Sequence, residues 1–92
     1  MIVNFYATLR QIVGKKTLEF EVRDGGTVRE LVADIIQAYP LMQRELFDEN
    51  GELYRHVHIL VNGRDTPYLE NAIDTHLQPD DVVNVFPAVG GG

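Results

Sequence analysis

The spacing of apolar residues changes along the chain, and each change marks an element. The opening run IVNFYA, residues 2–7, is β-branched and aromatic and alternates loosely, which predicts a strand. Residues 17–22, TLEFEV, alternate strictly. Leu18, Phe20 and Val22 share one face and Thr17, Glu19 and Glu21 the other, as in an antiparallel strand buried on one side. Gly14, inside the intervening RQIVGKK, reads as the turn of a hairpin joining the two, and Asp24-Gly25-Gly26 ends it. The period then lengthens. In TVRELVADIIQAYP, Val28, Leu31, Val32, Ile35, Ile36 and Tyr39 fall on one helical stripe. Thr27 with Glu30 three residues on makes a capping box, and Pro40 stops the helix.

Leu41, Leu46 and Phe47 predict a further short turn packed on the core, followed by a loop at DENG, 48–51. VHILVNG, 57–63, is a strand closed by the tight-turn pair Asn62-Gly63. Residues 64–78 have no clear period, and Pro67, Tyr68, Leu69, Ile73 and Leu77 are the expected anchors there. QPDD is a turn, VVNVF (82–86) is the last strand, and Pro87 ends it. The order is therefore β-β-α-β-short element-β. Its simplest closure is an α+β fold of the β-grasp type: a mixed sheet packed on one main helix. The expected organisation is one domain over 1–87 and a flexible Gly-rich tail over 88–92.

Composition narrows the function. The chain has 92 residues, 45% of them hydrophobic, as expected of one globular domain. No apolar run approaches the ~20 residues of a membrane span. MIVNFYATLR carries no basic leader or cleavage site, so a cytoplasmic protein away from membranes is expected. There is no cysteine, hence no thiolate metal site and no thiol nucleophile. Fourteen acids face eight bases, for a net charge of −6. The bases are scattered, so nucleic acid is not an expected partner. Serine is absent, and Gly25-Gly26 lacks the lysine and spacing of a phosphate loop. Asp48/Glu49, Asp80/Asp81 and Glu19/Glu21 lie in turns or on an exposed strand face, where carboxylates are solvated rather than paired for acid–base work. His56 and His58 share a strand face, but two histidines are a weak metal signal. No metal is assigned, and a self-contained enzyme is not expected.

The end of the sequence is the unusual part. Over residues 82–92 no side chain is charged, so the only formal charge there is the carboxylate of Gly92. Pro87, Ala88, Val89, Gly90, Gly91 and Gly92, if extended, reach roughly 20 Å beyond the sheet. Glycines without Cβ let a partner approach closely. A carboxylate is a poor electrophile until it is activated, for example by ATP as an acyl-adenylate.

These residues resemble the ubiquitin-like sulfur carriers of the ThiS/MoaD family, over nearly the whole chain. FYATLRQIVG (5–14) is similar to the MoaD branch's aromatic-Ala-x-x-Arg-x-x-x-Gly pattern. GTVRELVADIIQAYP resembles the family helix, and HVHILVNGRD the strand and turn after it. LQPDDVVNVFPAVGGG resembles the family ending, with two departures. Gly90 stands where alanine or threonine is common, and QPDD replaces the usual Asp-Gly-Asp. The resemblance implies that a ubiquitin-activating-type adenylyltransferase uses ATP and Mg to adenylate Gly92. A sulfur-donor protein then converts the end to a thiocarboxylate, and a downstream sulfur-accepting enzyme receives it. The large subunit of molybdopterin synthase, in molybdenum cofactor biosynthesis, is one such acceptor; cysteine, thiamine and tRNA thiolation pathways are others. No cofactor is then bound by this chain. Tyr6, Arg10 and Phe86 match the family's partner-docking positions. The alternative use of the same adenylate is a protein modifier joined to lysines through Gly92.

Overall fold

A computed structural model of the chain describes residues 1–21 and 26–87. The expected tail, 88–92, and the end of the predicted second strand with Asp24-Gly25 lie outside these residues. β1 (Ile2–Phe5) leads into α1 (Ala7–Val13), β2 (Thr17–Glu19), α2 (Val28–Ala38), α3 (Met42–Leu46), β3 (Val57–Val61), β4 (Arg64–Asp65) and β5 (Val82–Pro87). Two single 3₁₀ turns, Thr66–Tyr68 and Ala72–Asp74, lie between β4 and β5. The sheet has five strands in the order β2-β1-β5-β3-β4. β1 and β5 are parallel at its centre, with Val3 beside Val83 and Phe5 beside Val85, and every other pair is antiparallel. This is the β-grasp.

α1 corrects the expected hairpin. β1 and β2 do pair antiparallel, but a helix joins them. ATLRQIV carries Leu9, Ile12 and Val13 at helical spacing, a short stripe masked by the β-branched run before it. Gly14 is a helix end rather than a hairpin turn. Its φ is +86°, and its N–H donates to Arg10 O at 2.8 Å, the left-handed cap that glycine favours. β2 stops at Glu19, three residues before the predicted end, although Phe20 still packs on the core.

α2 forms where the stripe predicts. Thr27 is extended and its Oγ1 accepts the Glu30 N–H at 3.3 Å. Val28, Leu31, Val32 and Ile35 are buried against the sheet residues Val3, Phe5, Ile59, Val83 and Val85. Each such side chain contributes about 1.5–3 kcal/mol on burial. In α3 the anchors are Met42 and Leu46, while Leu41, an expected core residue, is 57% exposed. Helical phase explains this: Met42 and Leu46 are four apart and share a face, and Leu41 precedes the helix. Leu69, Ile73 and Leu77 anchor the irregular segment as expected. Pro67 and Tyr68 do not; Tyr68 is 78% exposed. Thr66 takes that role, buried with its Oγ1 donating to Ile59 O at 2.6 Å. Asn62 and Gly63 both have positive φ, as a tight turn between β3 and β4 requires.

Candidate functional site

Strand alternation that buries Val3, Phe5, Val83 and Val85 turns Asn4, Asn84 and Phe86 to the other face of the sheet. His58 and Leu60 on β3, and Thr17 and Glu19 on β2, join them by register. There the side chains bond one another. Thr17 Oγ1 donates to Asn4 Oδ1 at 2.6 Å, and Asn4 Nδ2 donates to Asn84 Oδ1 at 3.1 Å. The Tyr6 hydroxyl donates to the same Asn84 Oδ1 at 2.9 Å. A polar ladder thus runs across β2, β1 and β5 and holds the Tyr6 ring in place.

The ring meets Phe86 edge-on, with centroids 6.1 Å apart and planes at 88°. Lys16 Nζ lies over the Tyr6 ring, 5.5 Å from its centroid and in cation–π range. Across the ladder His58 is the direct partner of Phe86, its ring 5.3 Å away and tilted by 31°. His58 Nδ1 lies 2.7 Å from Asp65 Oδ2. The result is a stripe, Lys16–Tyr6–Phe86–His58–Asp65, across three strands and the β1–α1 joint, half-buried except at the exposed Lys16. Pro87, the last residue of β5, stands opposite Val57 at its edge. The last strand therefore leaves the sheet beside Phe86.

The expected docking residues separate into two groups. Tyr6 and Phe86 touch. Arg10 is exposed one turn along α1, and with Lys15 it borders a shallow groove over Ala7, Gln11 and Gly14. With Lys16 the three form a basic flank on an otherwise acidic chain. The joint between Tyr6 and α1 is Ala7, at φ +55°. A left-handed alanine costs roughly 1–2 kcal/mol, and such strain collects at functional sites. The remaining expected positions, Ala88, Val89, Gly90, Gly91 and Gly92, lie outside the described residues.

Sequence reasoning missed Lys16, Asn4, Asn84 and Asp65. Alternation alone places Asn4, Asn84 and His58 opposite the core. The Asn62-Gly63 turn folds β4 back on β3 and brings Asp65 to His58. His56 is exposed and stacks on Tyr54 at 5.0 Å. No group of three or more His, Cys, Asp or Glu with metal-binding geometry occurs among the described residues. The acids work in turns: Asp48 Oδ1 accepts the N–H groups of Asn50 and Glu52, and Asp81 accepts from Gln78 N and Asn62 Nδ2. Asp74 is held below its ordinary pKa by the hydrogen bond from Arg29, whose own pKa is raised by the same bond. That exposed pair ties α2 to the second 3₁₀ turn. No described helix is long and apolar enough to cross a membrane.

The whole fold is similar to that of SAMP1 from Haloferax volcanii, with a TM-score of 0.86 and 28% identity over 100% of this chain and 98% of that one. It is also similar to a chain of the Amycolatopsis orientalis BexX/CysO complex, with a TM-score of 0.78 and 25% identity over 99% and 98%. In sequence the chain is 37% identical to small archaeal modifier protein 3 of Haloferax volcanii over 90 residues, covering 98% of this chain and 96% of the relative. The pattern of the ThiS family matches residues 3–92, from the second residue of β1 to the final glycine. The chain belongs to the ThiS family.

Proposed function

We propose that this protein is a sulfur carrier whose Gly92 carboxylate is the working group. A ubiquitin-activating-type enzyme docks on the Tyr6–Phe86 face and receives the chain that leaves β5. A carboxylate oxygen attacks the α-phosphorus of Mg-ATP, pyrophosphate leaves, and the acyl-adenylate forms. A persulfide of a donor protein attacks the carbonyl carbon and AMP leaves, giving an acyl disulfide. A thiolate then cleaves its S–S bond, which releases the thiocarboxylate and leaves the donor sulfur and that thiol joined as a disulfide. A second enzyme then takes the sulfur; the large subunit of molybdopterin synthase is one acceptor of the right kind, and a cysteine, thiamine or tRNA thiolation enzyme is another. The observation that carries this reading is the contact of Tyr6 with Phe86 at 6.1 Å, one residue before the end of β5. A fixed aromatic patch sits at the root of an uncharged segment that ends in glycines. Family membership supports the same chemistry.

The experiment is intact mass spectrometry after incubation with the cognate activating enzyme, Mg-ATP and a sulfur donor. The expected result is replacement of one oxygen by sulfur at the C-terminus. No change in mass, with the activating enzyme proven active, rejects the proposal.

The name of the 37%-identical relative favours a second reading, conjugation to protein lysines through Gly92. Both readings share the adenylate. Higher-mass conjugates that vanish when Gly91 and Gly92 are deleted distinguish the modifier from a carrier alone. Only Lys15 and Lys16 can accept a second copy, so long self-conjugated chains are not expected.

A further inference from the structure

We propose that the His58–Asp65 pair selects the partner: it fixes a hydrogen-bond acceptor beside Phe86 and takes a partner that brings an N–H or O–H donor to that point. This rests on the activation reading above. Asp65 is itself fixed, because its Oδ1 accepts the Thr66 N–H at 2.9 Å and caps the 3₁₀ turn. Its Oδ2 is then aimed at His58 Nδ1, 2.7 Å away. An ionised carboxylate only accepts. In the neutral imidazole the proton therefore sits on Nδ1 and the lone pair on Nε2. Nε2 has no hydrogen-bond partner among the described residues. The ring is 33% exposed, so water can satisfy Nε2 while the protein is free.

Docking on the Phe86 face removes that water. Tyr6 and Phe86 offer contact that any apolar surface can meet. An acceptor left dry is a penalty, and a donor placed on it removes the penalty, so His58 discriminates where the aromatic rings cannot. Against the neutral ring a partner carboxylate at the same point sets lone pair against lone pair.

The test is ATP–pyrophosphate exchange by the ubiquitin-activating-type enzyme of the source genome, at fixed Mg-ATP and varied concentration of this protein. His58→Phe keeps the stack on Phe86 and removes both nitrogens. His58→Gln returns an acceptor near the position of Nε2, and His58→Met has the length of glutamine without that acceptor. We expect His58→Phe and His58→Met to raise the half-saturating concentration about tenfold with the maximal rate unchanged. His58→Gln recovers most of the loss. Thermal melts check each fold; if His58→Phe melts below assay temperature, the Gln and Met variants decide the matter. The proposal is overturned if Gln and Met behave alike, or if His58→Phe saturates like wild type while Phe86→Ala does not. If wild type supports no exchange at all, the activation reading has failed, a separate outcome.

Discussion

Phe5 and Phe86 are the same residue on neighbouring strands, and they face opposite ways. Phe5 is fully buried within the apolar core cluster. Phe86 is half-buried and meets Tyr6 and His58. On the core side apolar groups surround apolar groups, and the yield is stability. On the outer side the Tyr6 hydroxyl donates to Asn84 and the His58 ring to Asp65, Phe86 lies between the two rings, and the yield is a defined surface. Burial on the core side is complete without a partner. The outer side is ordered in advance yet still open, and such pre-organisation lowers the cost of binding.

The sharpest way to break this comparison is to truncate both residues. Phe5→Ala should lose ~3–5 kcal/mol of stability, a large part of the total for a domain of this size, and lower Tm by ~20 °C. Phe86→Ala should lose about 1 kcal/mol of stability but raise the half-saturating concentration in pyrophosphate exchange at least tenfold, as loss of an aromatic hot spot does. Equal melting losses would erase the distinction between the faces.

Asn84→Ala probes what holds the outer face. It removes the acceptor of both Tyr6 and Asn4. A loss of about 1 kcal/mol in chemical denaturation is expected, with broadened Tyr6 ring signals in NMR spectra. Ala7→Gly relieves the left-handed backbone at φ +55° and should gain ~0.5–1 kcal/mol, once the added chain entropy of glycine is subtracted. If the strain serves docking, the same variant binds the activating enzyme more weakly while melting higher.

The smallest effect is expected at Arg29–Asp74, an exposed ion pair. Asp74 titrates below its ordinary value of 3.8 because Arg29 donates to the charged carboxylate. A depressed folded value means that the contribution is present above the unfolded pKa and is lost as pH falls through the folded one. Wild type and Asp74→Asn should therefore differ slightly in denaturation midpoint at neutral pH and converge in acid. High salt should shrink the difference at neutral pH.

Long elements were legible and short ones were not. Residues 27–40 carry stripe, cap and stop signal together, and α2 follows them closely. The last strand and the Asn62-Gly63 turn were equally plain. α1 was missed because seven residues hold barely two turns of periodicity, and the preceding IVNFYA argued for strand. Pro67 and Tyr68 were misplaced as anchors because in a short 3₁₀ turn the burial of each residue depends on what the fold sets beneath it. Here Thr66 lies against Ile59 and Tyr68 points to solvent. In the site, Tyr6 and Phe86 matched a family pattern. Their contact depends on strands distant in sequence, whereas Lys16 and Asp65 arrive through the short connections from β1 to β2 and from β3 to β4.

Periodicity along the chain by itself determined which residues face inward on α2, β3 and β5, because a side chain's direction in a regular element depends only on its position. The same reasoning determined that no charged side chain follows Asp81. Only the tertiary structure decided that β1 and β5 lie side by side and parallel. That pairing carries Asn4 to Asn84, Tyr6 to Phe86, and through β3 the imidazole of His58 to the same ring. Contacts between residues 80 apart, such as Asn4 with Asn84, are set by strand order and register, and no local rule of spacing contains that information.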